Sequence, residues 1–111
     1  MNVLFIVLNK VEYLDDILDM FLDIGVKGAT ILDSQGMGRA IGQNEPFFGS
    51  IRKMLDGSRP YNKTIFTVIE EEELLNNAVK GVQEIVVDIE EPGVGMMFTL
   101  PLGNVYGMAE D

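Results

Sequence analysis

Hydrophobic and polar positions follow two different periods along the first quarter of the chain. Residues 3–8 form an unbroken apolar run with β-branched members, which is typical of a buried strand. Asn9, with Glu12 three residues later, then predicts a capping box at the start of a helix. Gly25 is the expected end of that helix. The predicted buried stripe, opposite a row of aspartates, is Leu14, Ile17, Leu18, Phe21 and Leu22.

The same order of patterns returns in the second half of the chain. Residues 28–35 predict a second strand, and the alternating residues 63–69 predict a third. Four glutamates at 70–73 favour the start of a second helix, because negative charge stabilises the positive end of the helix dipole. A fourth strand is predicted over residues 96–100, ended by Pro101. The buried stripe of the second helix is predicted to be Leu74, Leu75, Ala78, Val79, Val82, Ile85 and Val86.

This order of elements, β-α-β followed by a long connection and a second β-α-β, predicts a ferredoxin-like α+β fold. We expect one domain over residues 1–111, with an antiparallel four-stranded sheet and both helices on one face. The other face of the sheet is then uncovered, although Phe5, Phe66 and their alternating neighbours are apolar. A large uncovered apolar face predicts a homo-oligomer.

The connection between the second and third strands, about residues 36–62, is far longer than most. Connections longer than about 12–15 residues are usually functional or disordered. This one contains two adjacent aromatic residues, Phe47 and Phe48, followed by the basic pair Arg52 and Lys53. We expect residues of about 40–60 to be mobile in the free protein and to become ordered on binding a ligand or partner. The four named residues are expected to contact a target protein. The alternative is that the aromatic residues fold back onto their own oligomer.

The composition and net charge of the chain exclude several kinds of site and ligand. The chain has no cysteine and no histidine, which removes disulfides, thiolate metal sites and most zinc and triad hypotheses. A net charge of −10 argues against binding of nucleic acid. The apolar start is too short to span a membrane, so we expect a cytoplasmic protein without membrane insertion. No nucleophile–base pair or metal constellation is visible in the sequence, and an enzyme is therefore not expected.

Two glycine-containing turns are the candidate binding elements. The first is Gly36, Met37, Gly38 and Arg39, and the second is Gly93, Val94 and Gly95. Glycine allows a backbone to approach a ligand closely, but it also serves simply to turn the chain. Arg39 lies in a locally basic stretch, since residues 36–64 hold five basic and two acidic side chains. The methionines Met37, Met96 and Met97 are interpreted as packing residues.

Residues 3–102 resemble the P-II signalling proteins of nitrogen regulation. Residues 36–42 are similar to the family pattern G-F-G-R-Q-x-G, and residues 45–49 to E-x-[YF]-x-G. The stretch 25–30 resembles G-[IV]-x-G-[ML]-T, and 93–98 resembles G-D-G-K-I-F, the B-loop that holds nucleotide phosphates. The resemblance implies a homotrimer of ferredoxin-like subunits that binds an effector between subunits and contacts a partner through a long T-loop.

The chain also departs from the family pattern. Ala40 replaces the glutamine that helps to organise magnesium and 2-oxoglutarate, Met96 replaces the B-loop lysine, and residues 103–111 lack the usual basic side chains. We therefore expect no 2-oxoglutarate binding and weakened ATP binding, with ADP or AMP less affected. Arg52 replaces a modifiable tyrosine of some relatives, and Ser50 falls where others carry a phosphorylatable serine.

Two functions remain open from the sequence. The first is a regulatory sensor that binds an adenine nucleotide between the 36–39 turn of one subunit and the 93–95 turn of its neighbour. The second is an effector-independent structural or adaptor protein on the same trimeric fold. A third, remoter possibility is another trimeric ferredoxin-like family, the divalent-cation tolerance proteins, although the absence of histidine and cysteine argues against copper chemistry.

Overall fold

The predicted ferredoxin-like order is confirmed by the computed structural model, which describes residues 1–37 and 62–108. A short 3₁₀ turn, Val11–Tyr13, precedes the first helix. The elements are β1 (Asn2–Leu8), α1 (Leu14–Ile24), β2 (Thr30–Ser34), β3 (Asn62–Ile69), α2 (Glu72–Ile85) and β4 (Gly95–Pro101).

The four strands form one antiparallel sheet in the order β2-β3-β1-β4. The register places Phe5 opposite Phe66 on one side and opposite Phe98 on the other. Because side chains alternate between the two faces of a strand, these three rings share one face and their neighbours in sequence share the other. The second face is the one that the helices cover.

The core lies between that second face and the two helices. Its strand members are fully buried, as are the inward-facing residues of both helices. Most of the two predicted helical stripes is confirmed, but Leu22 is wrong: it is 67% exposed, while Phe21 beside it is buried. The core residues are Leu4, Ile6, Leu8, Ile17, Phe21, Val26, Ile65, Ile69, Leu75, Ala78, Val82, Val86 and Val94.

The helix ends agree only in part with the sequence patterns. Gly25 adopts φ +105° at the end of α1, which confirms the predicted glycine stop. The capping box predicted at Asn9 is wrong, because the 3₁₀ turn intervenes and Tyr13 occupies the position before α1 without a side-chain cap. The backbone N–H of Asn9 instead donates to the carbonyl of Val94, at 2.9 Å. A tertiary contact thus takes the place of the local cap.

Within the described residues, the face of the sheet away from the helices is apolar and largely exposed on β2 and β4, whereas Val3 on β1 is buried there. The ring of Phe5 stacks between those of Phe66 and Phe98, with centroid distances of 5.5 and 5.1 Å. Phe98 and Leu100 on β4 are substantially exposed, and Leu32 on β2 is exposed as well. This arrangement confirms the predicted open apolar face. We call this surface, defined by Phe5, Leu32, Phe66, Phe98 and Leu100, the open face.

Candidate functional site

Gly36 and the 93–95 turn lie beyond the same end of the sheet, Gly36 after the edge strand β2 and the turn before the edge strand β4. Ser34 at the end of β2 pairs with Asn62, while Leu8 at the end of β1 pairs with Lys63 and with Gly95. The 36–37 segment therefore follows β2 at this end, and the 93–95 turn enters β4 there. Since neighbouring strands are about 4.8 Å apart, β2 and β4 are separated by about 14 Å within one chain.

The 93–95 turn is fastened to the end of β1. The carbonyl of Val94 accepts hydrogen bonds from the backbone N–H groups of Asn9, at 2.9 Å, and Lys10, at 3.3 Å. The N–H of Val94 donates to the carbonyl of Glu91, at 3.3 Å, and its side chain is buried in the core. Val94 therefore anchors the turn, and ligand contacts at this turn would fall to the residues beside it.

The structural reason for a glycine differs from one described position of the two turns to the next. A Cβ at Gly95 would lie 2.6 Å from the carbonyl oxygen of Val7, so only glycine lets β4 approach β1 here. Gly93 adopts φ +82°, the left-handed region that favours glycine. At Gly36, neither backbone angle nor crowding requires glycine, because a Cβ there would meet nothing within 4 Å. The reason for glycine at 36 thus lies outside the described contacts of the chain.

An ion pair ties the start of the 3₁₀ turn to the loop that precedes the 93–95 turn. Lys10 Nζ donates to Asp88 Oδ2 at 2.6 Å, and the Tyr13 hydroxyl lies 3.4 Å from Asp88 Oδ1. The hydrogen bond from Lys10 lowers the pKa of Asp88 against the opposing effect of desolvation, and the same bond raises the pKa of Lys10. The sequence analysis missed this pair, because 78 positions separate its partners and neither belongs to a recognisable motif.

The two ends of the long connection are also joined by side chains. Ser34 Oγ hydrogen-bonds to the side-chain oxygen of Asn62 and lies 2.8 Å from Thr64 Oγ1. Next to them, Lys63 Nζ pairs with the carboxylate of Asp33. The connection therefore leaves and re-enters the sheet at a fixed point. Both lysines described at this edge, Lys10 and Lys63, are engaged with aspartates.

Several predicted residues lie outside the described part of the chain. They are Gly38, Arg39, Phe47, Phe48, Ser50, Arg52 and Lys53. Of the three methionines interpreted as packing residues, Met97 packs against the core. Met37 and Met96 are 77% and 57% exposed, so for them that interpretation is wrong within one chain. Met96 lies opposite Val7 in the register, at the border of the open face.

The described residues offer neither a metal cluster nor a membrane span. Within residues 1–37 and 62–108, no three histidine, cysteine, aspartate or glutamate side chains are grouped so that they could hold a metal ion. Neither helix in these two ranges is long and apolar enough to cross a membrane.

Comparison with known proteins shows a match between this chain and a protein family. The family described as nitrogen regulatory protein P-II matches residues 1–111, the whole chain. No curated protein sequence matches the chain significantly.

Proposed function

Because the chain belongs to the nitrogen regulatory protein P-II family, whose members are regulatory signalling proteins, we propose that it senses an adenine nucleotide between the subunits of a homotrimer. In this proposal the long connection, residues 36–62, transmits the bound state to a target protein. Members of the family are typically homotrimers that bind partner proteins, and they are not enzymes.

The observation that carries the proposal is the placement of the two glycine turns. Gly36 and the 93–95 turn lie at the same end of the sheet, on strands about 14 Å apart. We propose that a phosphate group sits between two copies of the chain, with the 36–39 turn from one and the 93–95 turn from the other.

The open face supports the assembly. The stacked rings of Phe5, Phe66 and Phe98 lie beside the exposed apolar side chains of Leu32 and Leu100. Contiguous apolar surface of this kind is typical of a protein–protein interface. Burial of this face against two further copies would bring sheet edges of different subunits together, which is what a site between turns of two chains requires.

The charges at the edge favour a ligand with few phosphates. Lys10 and Lys63 already pair with Asp88 and Asp33, so they do not add net positive charge. Backbone N–H groups and Arg39 would then supply most of the contacts to phosphate. Each charge-assisted hydrogen bond that is missing costs about 1.5–3 kcal/mol. We therefore propose AMP or ADP as the preferred effector and ATP as a weak one.

Calorimetric titration with AMP, ADP, ATP and 2-oxoglutarate tests the proposal. We expect binding of AMP or ADP, weaker binding of ATP, and no magnesium-dependent binding of 2-oxoglutarate, because Ala40 has no side-chain oxygen. Tight, magnesium-dependent binding of ATP and 2-oxoglutarate would contradict the inferred effect of the missing residues. Light scattering should give the mass of a trimer, and a monomer at micromolar concentration would remove the intersubunit site.

Two glycine substitutions provide a matched pair for the titration. Gly36→Ala adds a methyl group where the described chain has open space, and Gly103→Ala does the same away from the two turns. If Gly36 faces a ligand, the added methyl group costs about 1–3 kcal/mol of binding, or at least about fivefold in affinity. Gly103→Ala should leave affinity unchanged. Equal affinity of both variants would place the ligand elsewhere.

A second candidate function is an effector-independent adaptor on the same trimeric fold. It is favoured by the pairing of both described lysines at the edge, which leaves little charge for a nucleotide. Absence of binding for all three nucleotides would support it. Both functions use the long connection as the docking arm, so the double substitution Phe47→Ala and Phe48→Ala should abolish partner binding and leave the trimer intact.

A further inference from the structure

The loop between α2 and β4 is held near both of its ends by two consecutive residues, Asn9 and Lys10, which follow β1. At one end, Lys10 Nζ contacts Asp88 Oδ2 at 2.6 Å. At the other end, the backbone N–H groups of Asn9 and Lys10 converge on the Val94 carbonyl. Residues 88–94 are thus bracketed between the side chain and the main chain of Lys10.

The bracketed loop is also closed internally. The Glu91 N–H donates to the Asp88 carbonyl at 2.9 Å, and the Val94 N–H donates to the Glu91 carbonyl at 3.3 Å. These two turns connect the ion pair directly to the residue that precedes Gly95. A shift of Asp88 is therefore passed along a short, hydrogen-bonded path to the 93–95 turn.

We propose that Lys10 and Asp88 are positioning residues, whose ion pair holds the 93–95 turn in the form that receives a phosphate before any ligand arrives. This inference rests on the proposed nucleotide site and names the residues that preorganise one half of it. A turn that is already ordered loses less conformational freedom on binding, and the ligand affinity rises accordingly.

The geometry favours positioning over direct contact with the ligand. The ammonium group of Lys10 is engaged with a carboxylate at a short distance, and the Tyr13 hydroxyl lies against the second oxygen of the same carboxylate. A phosphate would have to displace Asp88 from Lys10 in order to bind it. The lowered pKa of Asp88, which follows mainly from the hydrogen bond with Lys10, agrees with a carboxylate that stays charged and paired.

Amide hydrogen exchange and nucleotide calorimetry on the full-length protein together test this role. The informative variants are Lys10→Met and Asp88→Asn, which break the pair, and Lys10→Arg, which keeps it. Lys80→Met and Asp19→Asn are controls that change the same charges at exposed positions on the two helices. Exchange is followed at residues 93–95 without ligand, and affinity is measured with AMP and ADP.

We expect Lys10→Met and Asp88→Asn each to accelerate exchange at residues 93–95 by about two- to fivefold, the range of a partly exposed ion pair. Nucleotide affinity should fall by a similar factor, and the melting temperature should fall only by the small amount that the loss of one partly exposed ion pair causes. Lys10→Arg and both controls should behave like the unaltered protein. Rescue by arginine separates the ion pair from a general loss of stability.

Three results would overturn the inference. Unchanged exchange at residues 93–95 with retained nucleotide binding would remove the positioning role and leave the proposed function standing. Higher affinity in Asp88→Asn would mean that release of Lys10 helps the ligand, and Lys10 would then be a direct contact. Absence of nucleotide binding in the unaltered protein would overturn the proposed function, and the role of the pair in ligand binding with it.

Discussion

Replacement of Phe98 by alanine tests whether the open face is the assembly surface. Phe98 is 38% exposed in one chain, and because a phenylalanine side chain buries about 150–250 Å² when covered, about 60–95 Å² of it is available to a neighbouring subunit. At about 25 cal/mol per Å², covering this area stabilises the assembly by about 1.5–2.4 kcal/mol per subunit. Phe98→Ala should therefore weaken association by about ten- to fiftyfold for each subunit.

Analytical ultracentrifugation over a range of protein concentrations measures this effect. If the open face is the assembly surface, Phe98→Ala should dissociate at concentrations at which the unaltered protein is fully associated. Leu22→Ala is the matched control, because Leu22 is also a large exposed apolar residue, at 67%, but lies on α1 on the opposite side of the sheet. It should leave the dissociation midpoint where it is.

Part of the cost of Phe98→Ala arises inside the chain, since the ring stacks on Phe5 at 5.1 Å. Aromatic pairs contribute about 0.5–1.5 kcal/mol beyond their buried area. Circular dichroism at a concentration at which the variant is monomeric separates this local loss from the loss of assembly. An unchanged dissociation midpoint for Phe98→Ala, or an equal shift for Leu22→Ala, would refute the assignment of the open face to assembly.

Three further predictions concern the core, the helix contact and the ion pair. Thr67→Val should lower the free energy of unfolding by about 1–3 kcal/mol in urea denaturation, because the buried Thr67 hydroxyl donates to the Gly28 carbonyl at 2.6 Å. Thr67→Ser keeps the donor, so it should lower the free energy of unfolding by less. Gly81→Ala places a Cβ 2.5 Å from Met20 Sδ, so the same substitution should cost less in a Met20→Ala background, as a double-mutant cycle would show. The pKa of Asp88 is lowered in the folded chain. The contribution of its ion pair to stability is therefore present above the unfolded pKa and is lost as pH falls through the folded pKa. Asp88→Asn should abolish that part of the acid dependence in thermal melts, and an identical acid dependence in the variant would contradict the prediction.

Local patterns predicted the fold because they report burial directly. The alternation in β3 and the helical spacing in α1 and α2 place apolar residues on one side, and nearly all of them are buried in the core or packed against it. The patterns failed where a residue's partner is distant in sequence. Asn9 is of a residue type that often caps helices, but its N–H donates a hydrogen bond to the carbonyl of Val94. Leu22 fits the helical period, yet Phe21 takes the inward direction and Leu22 is left exposed.

The candidate site was predictable in outline only. The glycines correctly predicted the 93–95 turn, and the order of the strands placed Gly36 at the same end of the sheet. Spacing alone gave no sign that Gly95 is required by the Val7 carbonyl, or that Lys10 pairs with Asp88. These contacts depend on which strands become neighbours in the sheet, and that neighbourhood is a property of the whole fold.

The fixed point at which the long connection leaves the sheet has a consequence for how the protein can be altered. Ser34, Asn62 and Thr64 join the two ends, next to the pair formed by Asp33 and Lys63. The ends are therefore set by β2 and β3, whatever chain runs between them. Doubling or halving the length of that chain changes the free energy of loop closure by only about 0.6 kcal/mol. The fold therefore tolerates changes of sequence and length between residues 35 and 61, and a foreign peptide grafted there would leave the same end of the sheet in every copy of the chain.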